Sequence, residues 1–301
     1  MSKFQPKGII PALVTPLDKY GNLMEDALRK VINYTLDAGV HGVFVLGSTG
    51  EIYGLDDKQK QRVMEVTVEA VNGRVPIYAG AGEITTNNSI KTAQIAEKVG
   101  GISALSVITP YFVSPTQDEL IEHYTAIANS VKTPIILYGC DGRAHNSIMP
   151  ETVLKLSEVD NIIGIKDSSG SSERMDKYLE LTKDKEDFSV LCGIDTLIYH
   201  GLVNGTKGAI ASSANIAPKI SVGIYNAFMN GDLKKAEELQ NELVPLRNAY
   251  SLSTFPGFIK EALRLVGIDA GVALKPVGAM SDENREKLKL VLQKLEVYNI
   301  M

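Results

Sequence analysis

Residues 161–170 read Asn-Ile-Ile-Gly-Ile-Lys-Asp-Ser-Ser-Gly, a stretch that indicates both a fold and a chemistry. The β-branched run from Ile162 to Ile165 is typical of a strand buried on both faces. The run closes on Lys166, and a loop of small polar residues follows. Burial lowers the pKa of a lysine, so a neutral amine becomes available to attack a carbonyl and form a Schiff base. A strand-final lysine more commonly marks where a strand reaches solvent, so the choice depends on the rest of the chain.

Seven further apolar runs close in the same way on small or polar residues. The eight runs are residues 8–15, 42–46, 75–79, 104–109, 133–138, 162–166, 188–192 and 208–211. Helical patterns lie between most of them, and the spacing is mostly about 30 residues, the length of a βαβ unit. This alternation predicts an α/β fold, a (β/α)8 TIM barrel. A doubly wound sheet is the alternative, but it usually has a Gly-rich turn after the first strand, and residues 9–13 lead to none.

The chain after residue 217 has a different pattern. Segments 218–230, 233–250, 256–266 and 282–297 all have mainly helical periodicity, and no Pro/Ser-rich linker precedes them. We therefore expect residues 1–217 to form the barrel and residues 218–301 to form a C-terminal helical region packed on it.

Composition and charge exclude several classes of protein. The net charge is −5, so we expect no basic surface that would bind nucleic acid. No apolar run is long enough for a membrane span, and no signal peptide is evident. The two cysteines, Cys140 and Cys192, suit a reducing compartment, so we expect a cytoplasmic protein. The four histidines lack ligand spacing, so no metal site is expected.

The active site of a (β/α)8 barrel lies at the C-terminal ends of its strands. The second strand ends in Gly47-Ser48-Thr49-Gly50-Glu51, where two glycines bracket two hydroxyls. Such a loop can cradle a carboxylate or a phosphate with backbone N–H groups, although it is also compatible with an ordinary turn.

Other strand ends carry further candidates. The fifth strand ends in Tyr138, next to the strand of Lys166, so the phenol could shuttle protons there, although an ordinary core tyrosine is the alternative. Arg143 follows in the next loop, and its planar guanidinium group can form two parallel hydrogen bonds with a carboxylate. Tyr111 and Phe112 form an aromatic pair after the fourth strand. The loop at Ser212 and Ser213 also suits a phosphate-binding barrel.

Together these residues resemble the dihydrodipicolinate synthase and N-acetylneuraminate lyase family. The marks are Gly47 to Glu51, Thr109-Pro110-Tyr111, Tyr138 and Gly164-Ile165-Lys166-Asp167, in the family's order and spacing. The resemblance implies class I aldolase chemistry on pyruvate and usually a homotetramer, a dimer of dimers. It also implies that no cofactor is needed, because the protonated imine acts as the electron sink. It further implies that Lys166 forms the imine, Tyr138 passes protons, Ser48 and Thr49 hold the pyruvate carboxylate, and the Ile210 carbonyl lies near the reacting group.

Two departures from the family's pattern concern the proton relay and a feedback site. In dihydrodipicolinate synthases a second tyrosine stands after the first, and a neighbouring subunit contributes it to a proton relay. This chain has Phe112 at that position, which has no hydroxyl, so we expect that relay to be broken. Positions matching the lysine-feedback site of some synthases hold Tyr53, Ile84 and Asn88. Arg143 stands where the synthase binds the carboxylate of aspartate semialdehyde, but Asp141 nearby could neutralise it.

Several substrates are therefore open. Phe112 slightly favours an aldolase for 2-keto-3-deoxy-sugar acids, whereas Arg143 favours 4-hydroxy-tetrahydrodipicolinate synthase. N-acetylneuraminate lyase and a non-catalytic protein that binds a 2-oxo acid are two further candidates. In each case the expected partners are pyruvate and a small aldehyde or 2-oxo acid.

Overall fold

The protein, described here from a computed structural model over residues 4–298, is built around eight parallel strands. The strands are β1 (Gly8–Pro11), β2 (Val43–Val45), β3 (Ile77–Gly80), β4 (Ala104–Ile108), β5 (Ile135–Gly139), β6 (Ile162–Asp167), β7 (Ser189–Cys192) and β8 (Gly208–Ala211). Their order is β1-β8-β7-β6-β5-β4-β3-β2, so neighbours in the chain are neighbours in the sheet, with β8 returning to β1. Every strand is buried along its whole length, which explains why each one has an uninterrupted apolar run in the sequence.

Residues just after β1 bring the two edges of the sheet together. Ala12 N–H donates to the Ala211 carbonyl at 3.0 Å, and Leu13 N–H donates to the Phe44 carbonyl at 2.8 Å. Ala12 also forms an isolated parallel bridge with Phe44. Strand β1 therefore ends at Pro11, earlier than the predicted range 8–15, because Ala12 and Leu13 no longer pair regularly with one strand and instead connect β8 with β2. The result is a nearly closed barrel, and the predicted TIM-barrel fold is confirmed.

Helices connect the strands on the outside of the barrel. They are α1 (Glu25–Asp37), α2 (Asp57–Val71), α3 (Thr86–Val99), α4 (Gln117–Ser130), α5 (Asp141–Ala144), α6 (Pro150–Leu156), α7 (Ser172–Leu181) and α8 (Ile198–Asn204). The beginnings of α2 and α4 are fixed by capping boxes, from Asp56 with Gln59 and from Thr116 with Glu119.

Two of these helices were not anticipated from the sequence. Helix α5 is a single turn, too short to give a period. Helix α8 contains Gly201, and glycine has a low helix propensity. A larger residue would not fit at this position, because a Cβ would lie only 2.9 Å from Thr206 Oγ1. Close packing against β7 and β8 therefore selects glycine at the expense of the helical signal.

Up to residue 298, four helices follow the barrel, and a short 3₁₀ turn at Ala249–Leu252 lies between the second and the third of them. They are α9 (Pro218–Met229), α10 (Leu233–Asn248), α11 (Gly257–Val266) and α12 (Asp282–Lys294). Helix α9 contacts β1, and α10 contacts the 3₁₀ turn at Asp195–Leu197 that follows β7. The predicted helix 233–250 thus ends early, because the 3₁₀ turn carries Tyr250 inward against Phe258. The division of the chain at residue 217 stays a prediction.

The inside of the barrel is filled with side chains from alternate positions of the strands. Ile10, Phe44, Tyr78, Ile136 and Leu191 belong to this inner layer, and all of them are buried. They form a floor, and the side chains at the strands' C-terminal ends stand above it. Within residues 4–298, none of the helices is long and apolar enough to cross a membrane.

Candidate active site

A cavity of about 400 Å³ opens above this floor, at the C-terminal ends of the strands. Its size lies within the ordinary range of small-molecule sites. The lining residues come from the C-terminal ends of six of the eight strands, all but β3 and β4, and from the C-terminal region: Ala12, Ser48, Thr49, Tyr138, Cys140, Gly142, Arg143, Lys166, Ser168, Ser169, Gly193, Ile194, Asp195, Ile210, Ser212, Arg247, Tyr250 and Phe255. Six of the eight predicted site residues thus lie around one cavity.

Lys166 stands at the bottom of this cavity beside Tyr138. The two residues are direct neighbours in the register of β5 and β6, and Lys166 Nζ lies 4.1 Å from the centroid of the Tyr138 ring. The Phe44 ring centroid lies 5.2 Å from the same nitrogen, and Lys166 is only 5% exposed. Burial lowers the pKa of Lys166 to about 8, and the positive charge of Arg143 acts in the same direction. The interpretation of Lys166 as a lysine that reaches solvent therefore fails.

Tyr138 connects the lysine with the loop after β2. Burial raises the pKa of Tyr138, and a side-chain hydrogen bond with Ser48 opposes that rise. The phenol therefore remains protonated at neutral pH and can donate a proton. Since the phenol also contacts the thiol of Cys140, its orientation is fixed from two sides.

The loop after β2 is held in an unusual backbone conformation. Leu46 has φ of 58° and Glu51 has φ of 57°, both in the left-handed region. Gly50 N–H donates to the Gly47 carbonyl at 3.0 Å, and Thr15 Oγ1 donates to the Gly50 carbonyl at 2.6 Å. Inside the turn the Thr49 side chain is buried, whereas Ser48 is half-buried at the cavity wall. The predicted cradle is thus a formed turn that faces Tyr138 and Lys166.

Arg143 lies on the single-turn helix α5, at the rim of the cavity. Its guanidinium carbon lies 4.2 Å from the centroid of the Phe255 ring, so the side chain is held by stacking. Asp141, which could have neutralised it, is instead ion-paired with Arg174 and accepts a hydrogen bond from Ser147 Oγ at 2.6 Å. Arg143 makes no ion pair with another residue in the range 4–298, so its charge faces the cavity.

Of the remaining predicted residues, Ile210 lines this cavity, whereas Tyr111 and Phe112 do not. Ile210 pairs with Ile10 in the β1–β8 register and lines the cavity. The Tyr111 hydroxyl lies 3.5 Å from Glu83 Oε2 and faces an adjoining cavity of about 150 Å³, which Ser48 and Arg143 also line. Phe112 is 95% exposed, has φ of 74°, and lies outside both cavities. Within one chain, Phe112 therefore does not take part in the site.

Several lining residues were not predicted. Asp195 follows β7, so the strand-end rule applied to that strand would have found it. Ser212 follows β8, and the sequence suggests its loop only for phosphate binding. Asp195 accepts hydrogen bonds from Ser212 Oγ at 2.9 Å and from Ser213 N–H at 2.9 Å. Arg247 and Tyr250 come from the C-terminal region, where no sequence signal marks them. Arg247 Nε lies 3.8 Å from Asp195 Oδ2, and its guanidinium carbon lies 4.6 Å from the Tyr250 ring centroid.

Comparisons with known proteins agree along almost the whole chain. The profile of the dihydrodipicolinate synthetase family matches residues 5–295. A 4-hydroxy-tetrahydrodipicolinate synthase from Methanopyrus kandleri is 39% identical over 294 residues, which cover 97% of each protein. Another 4-hydroxy-tetrahydrodipicolinate synthase, from Syntrophus aciditrophicus, is 39% identical over 95% of this chain and 97% of its own length.

Solved structures give the same result. The dihydrodipicolinate synthase of Thermotoga maritima superposes with a TM-score of 0.94 at 31% identity, covering 98% of this chain and 100% of that one. YagE, an E. coli K12 prophage protein of the dihydrodipicolinic acid synthase family solved in complex with pyruvate, superposes with a TM-score of 0.93. It is 31% identical to this chain, and the alignment covers 97% of this chain and 99% of YagE.

Proposed function

Because the chain belongs to the dihydrodipicolinate synthetase family of Schiff-base, pyruvate-dependent lyases, we propose that it condenses pyruvate with aspartate semialdehyde, as a 4-hydroxy-tetrahydrodipicolinate synthase. The observation that carries the proposal is the Lys166 amine, buried beside the Tyr138 ring at 4.1 Å. The relatives' names support this substrate pair over the sugar-acid aldolase that Phe112 slightly favours in the sequence.

The first half of the reaction uses Lys166 and Tyr138. The neutral Nζ attacks the C2 carbonyl of pyruvate, and the Tyr138 hydroxyl gives its proton to the departing oxygen, which leaves as water. The protonated imine is an electron sink, so C3 can lose a proton to the Tyr138 phenolate and become an enamine. That enamine attacks the aldehyde carbon and forms the new C–C bond, while the aldehyde oxygen takes the proton back from Tyr138. Attack on C2 by water or by the amino group of the aldehyde substrate, with its proton passing to Tyr138, then breaks the bond to nitrogen and returns the amine of Lys166.

Two anion-binding groups would orient the substrates. The turn with Ser48 and Thr49 offers hydroxyls and backbone N–H groups to the pyruvate carboxylate. Arg143 faces the same cavity with its charge unpaired by Asp141, which is held by Arg174. A guanidinium so placed suits the carboxylate of aspartate semialdehyde.

A second candidate is an aldolase for 2-keto-3-deoxy-sugar acids. The specific observation in its favour is Phe112, which has no hydroxyl to complete the proton relay of the synthases. The polar wall formed by Asp195 and Ser212 would suit a hydroxylated aldehyde. Assembly as a homotetramer remains part of the proposal for either substrate.

Two measurements test these proposals. Incubation with pyruvate and borohydride, followed by mass measurement and peptide mapping, is expected to place one reduced pyruvate adduct on Lys166. The absence of an adduct would favour a non-catalytic protein that binds 2-oxo acids. A panel of aspartate semialdehyde, N-acetylneuraminate, 2-keto-3-deoxygluconate and 4-hydroxy-2-oxoglutarate, followed through pyruvate, then identifies the second substrate. The synthase proposal fails if the adduct forms but aspartate semialdehyde is not consumed.

A further inference from the structure

Glu51 closes the turn that carries Ser48 and Thr49, and its side chain is directed away from the cavity into the protein. The residue is completely buried, and its backbone is in the left-handed region with φ of 57°. A non-glycine residue adopts this conformation only where the surrounding structure holds it there. The contacts of the Glu51 carboxylate therefore show what holds the turn.

Both oxygens of this carboxylate are bound by the C-terminal region. Lys260 Nζ, on α11, lies 2.6 Å from Glu51 Oε1, and that oxygen has no other partner within residues 4–298. Leu274 N–H donates to Glu51 Oε2 at 2.7 Å. Lys260 Nζ also donates to the Val272 carbonyl at 2.6 Å and is 2% exposed. A single ammonium therefore connects α11, the loop after it and the turn beside the active site.

Fold stability alone does not explain why a buried ion pair, and not a pair of apolar residues, occupies this position. Desolvation of two buried charges largely offsets their attraction, and well-packed apolar residues often stabilise a protein equally well. An ion pair differs from apolar packing because it fixes the position of two atoms. Glu51 is two residues from Thr49 and three from Ser48, so its position determines where their hydroxyl and N–H groups point.

We propose that Lys260 and Glu51 are positioning residues, which hold the turn of Ser48 and Thr49 in the geometry that binds the carboxylate of pyruvate. The C-terminal region thereby contributes to substrate binding without touching the substrate. This inference rests on the proposed function, because it assigns the turn to the pyruvate carboxylate. It concerns the affinity for pyruvate, whereas the chemistry at Lys166 is left intact.

The decisive variant carries Glu51→Gln and Lys260→Met together. Both charges are removed, so no buried ion is left alone, and the amide keeps an acceptor for Leu274 N–H. We expect this double variant to fold with a Tm close to that of the parent, whereas Lys260→Met alone lowers the Tm by roughly 5–10 °C. The KM for pyruvate should rise by about tenfold or more in the double variant, because the cradle is displaced. At saturating pyruvate the Lys166 adduct should still form completely.

Arg285→Met is the matched control. Arg285 Nε lies 2.7 Å from Glu261 Oε1, so this change breaks an ion pair at the neighbouring position of α11 without reaching the turn. It should leave the KM for pyruvate unchanged. A double variant with the parent's KM for pyruvate would overturn the inference. So would a double variant that unfolds while Arg285→Met folds, because the pair would then serve the fold. If the parent forms no adduct, the proposed function fails instead.

Discussion

Asp141 is ion-paired with Arg174 of α7, although Arg143 is only two residues away from it along the chain. This pairing leaves the guanidinium of Arg143 stacked on Phe255 and directed at the cavity. Replacing Arg143 with Ala should therefore raise the KM for aspartate semialdehyde by at least about tenfold, the loss of one hydrogen-bonded charge contact. Steady-state kinetics with each substrate varied in turn would measure it.

Arg174→Met provides the matched test of the same arrangement. Without its partner, Asp141 is expected to turn towards Arg143 and weaken the binding of aspartate semialdehyde, while pyruvate trapping on Lys166 continues. Equal KM values for aspartate semialdehyde in the parent and both variants would contradict a role for Arg143 in binding a carboxylate.

A second prediction concerns the pH dependence of imine formation. Burial lowers the pKa of Lys166 to about 8, so roughly one amine in ten is neutral at pH 7. The rate of borohydride trapping with pyruvate should rise with pH, reach half of its maximum near pH 8 and level off above about pH 9. A rate that keeps rising towards pH 10 would indicate an ordinary, solvated lysine.

The same burial should make Lys166 costly for stability. In the folded protein its pKa is about 8, against an ordinary value of 10.5, so below pH 8 the buried ammonium opposes folding at full strength. Between pH 8 and 10.5 the unfolded chain binds more protons than the folded one, so this cost disappears as pH rises. At pH 7, Lys166→Met should raise the free energy of unfolding by up to about 3 kcal/mol. Denaturant unfolding at pH 7 and pH 10 would measure the difference, which should shrink at the higher pH. An equally large gain at both pH values would count against the lowered pKa.

The barrel could be predicted because each strand is buried on both faces and therefore leaves an apolar run. The location of the site could be predicted because the C-terminal ends of all parallel strands lie at the same rim of the barrel. This geometry brings Ser48, Tyr138 and Lys166 together from distant positions in the sequence. Helix α8 could not be predicted, because the packing at Gly201 overrides helix propensity.

The part of the site that the C-terminal region forms could not be predicted from the sequence, for a different physical cause. Arg247, Tyr250 and Phe255 reach the cavity because α10 and the 3₁₀ turn after it pack across the barrel mouth. That placement depends on tertiary contacts between distant segments, and no local pattern encodes it. The partner of Asp141 is another example, because Arg174 is 33 residues away.

Arg247 is expected to affect the second substrate and not pyruvate. It lines the cavity on the side of Asp195, whereas the carboxylate cradle follows β2. Arg247→Met keeps the apolar stem on Tyr250 and removes the charge, so the KM for the aldehyde should rise by roughly tenfold. Lys234→Met, on the exposed face of the same helix, should have no effect. A rise in the KM for pyruvate instead would place Arg247 in the pyruvate subsite.

Phe112→Tyr tests whether a hydroxyl from another chain completes the proton relay. Phe112 is 95% exposed and lies outside the cavity of its own chain, so the new hydroxyl could act only in a neighbouring subunit. The change should raise the rate of condensation with aspartate semialdehyde, and the gain should vanish on dilution to concentrations where the chains separate. Condensation rates across a protein dilution series, with sedimentation as the measure of assembly, would show both effects. Phe112→Leu is the control, because it keeps an apolar side chain without adding a hydroxyl. If the condensation rate stays higher in separated chains, the relay does not run between subunits. If Phe112→Tyr raises the condensation rate at no concentration, the result favours the sugar-acid aldolase, which does not require that relay.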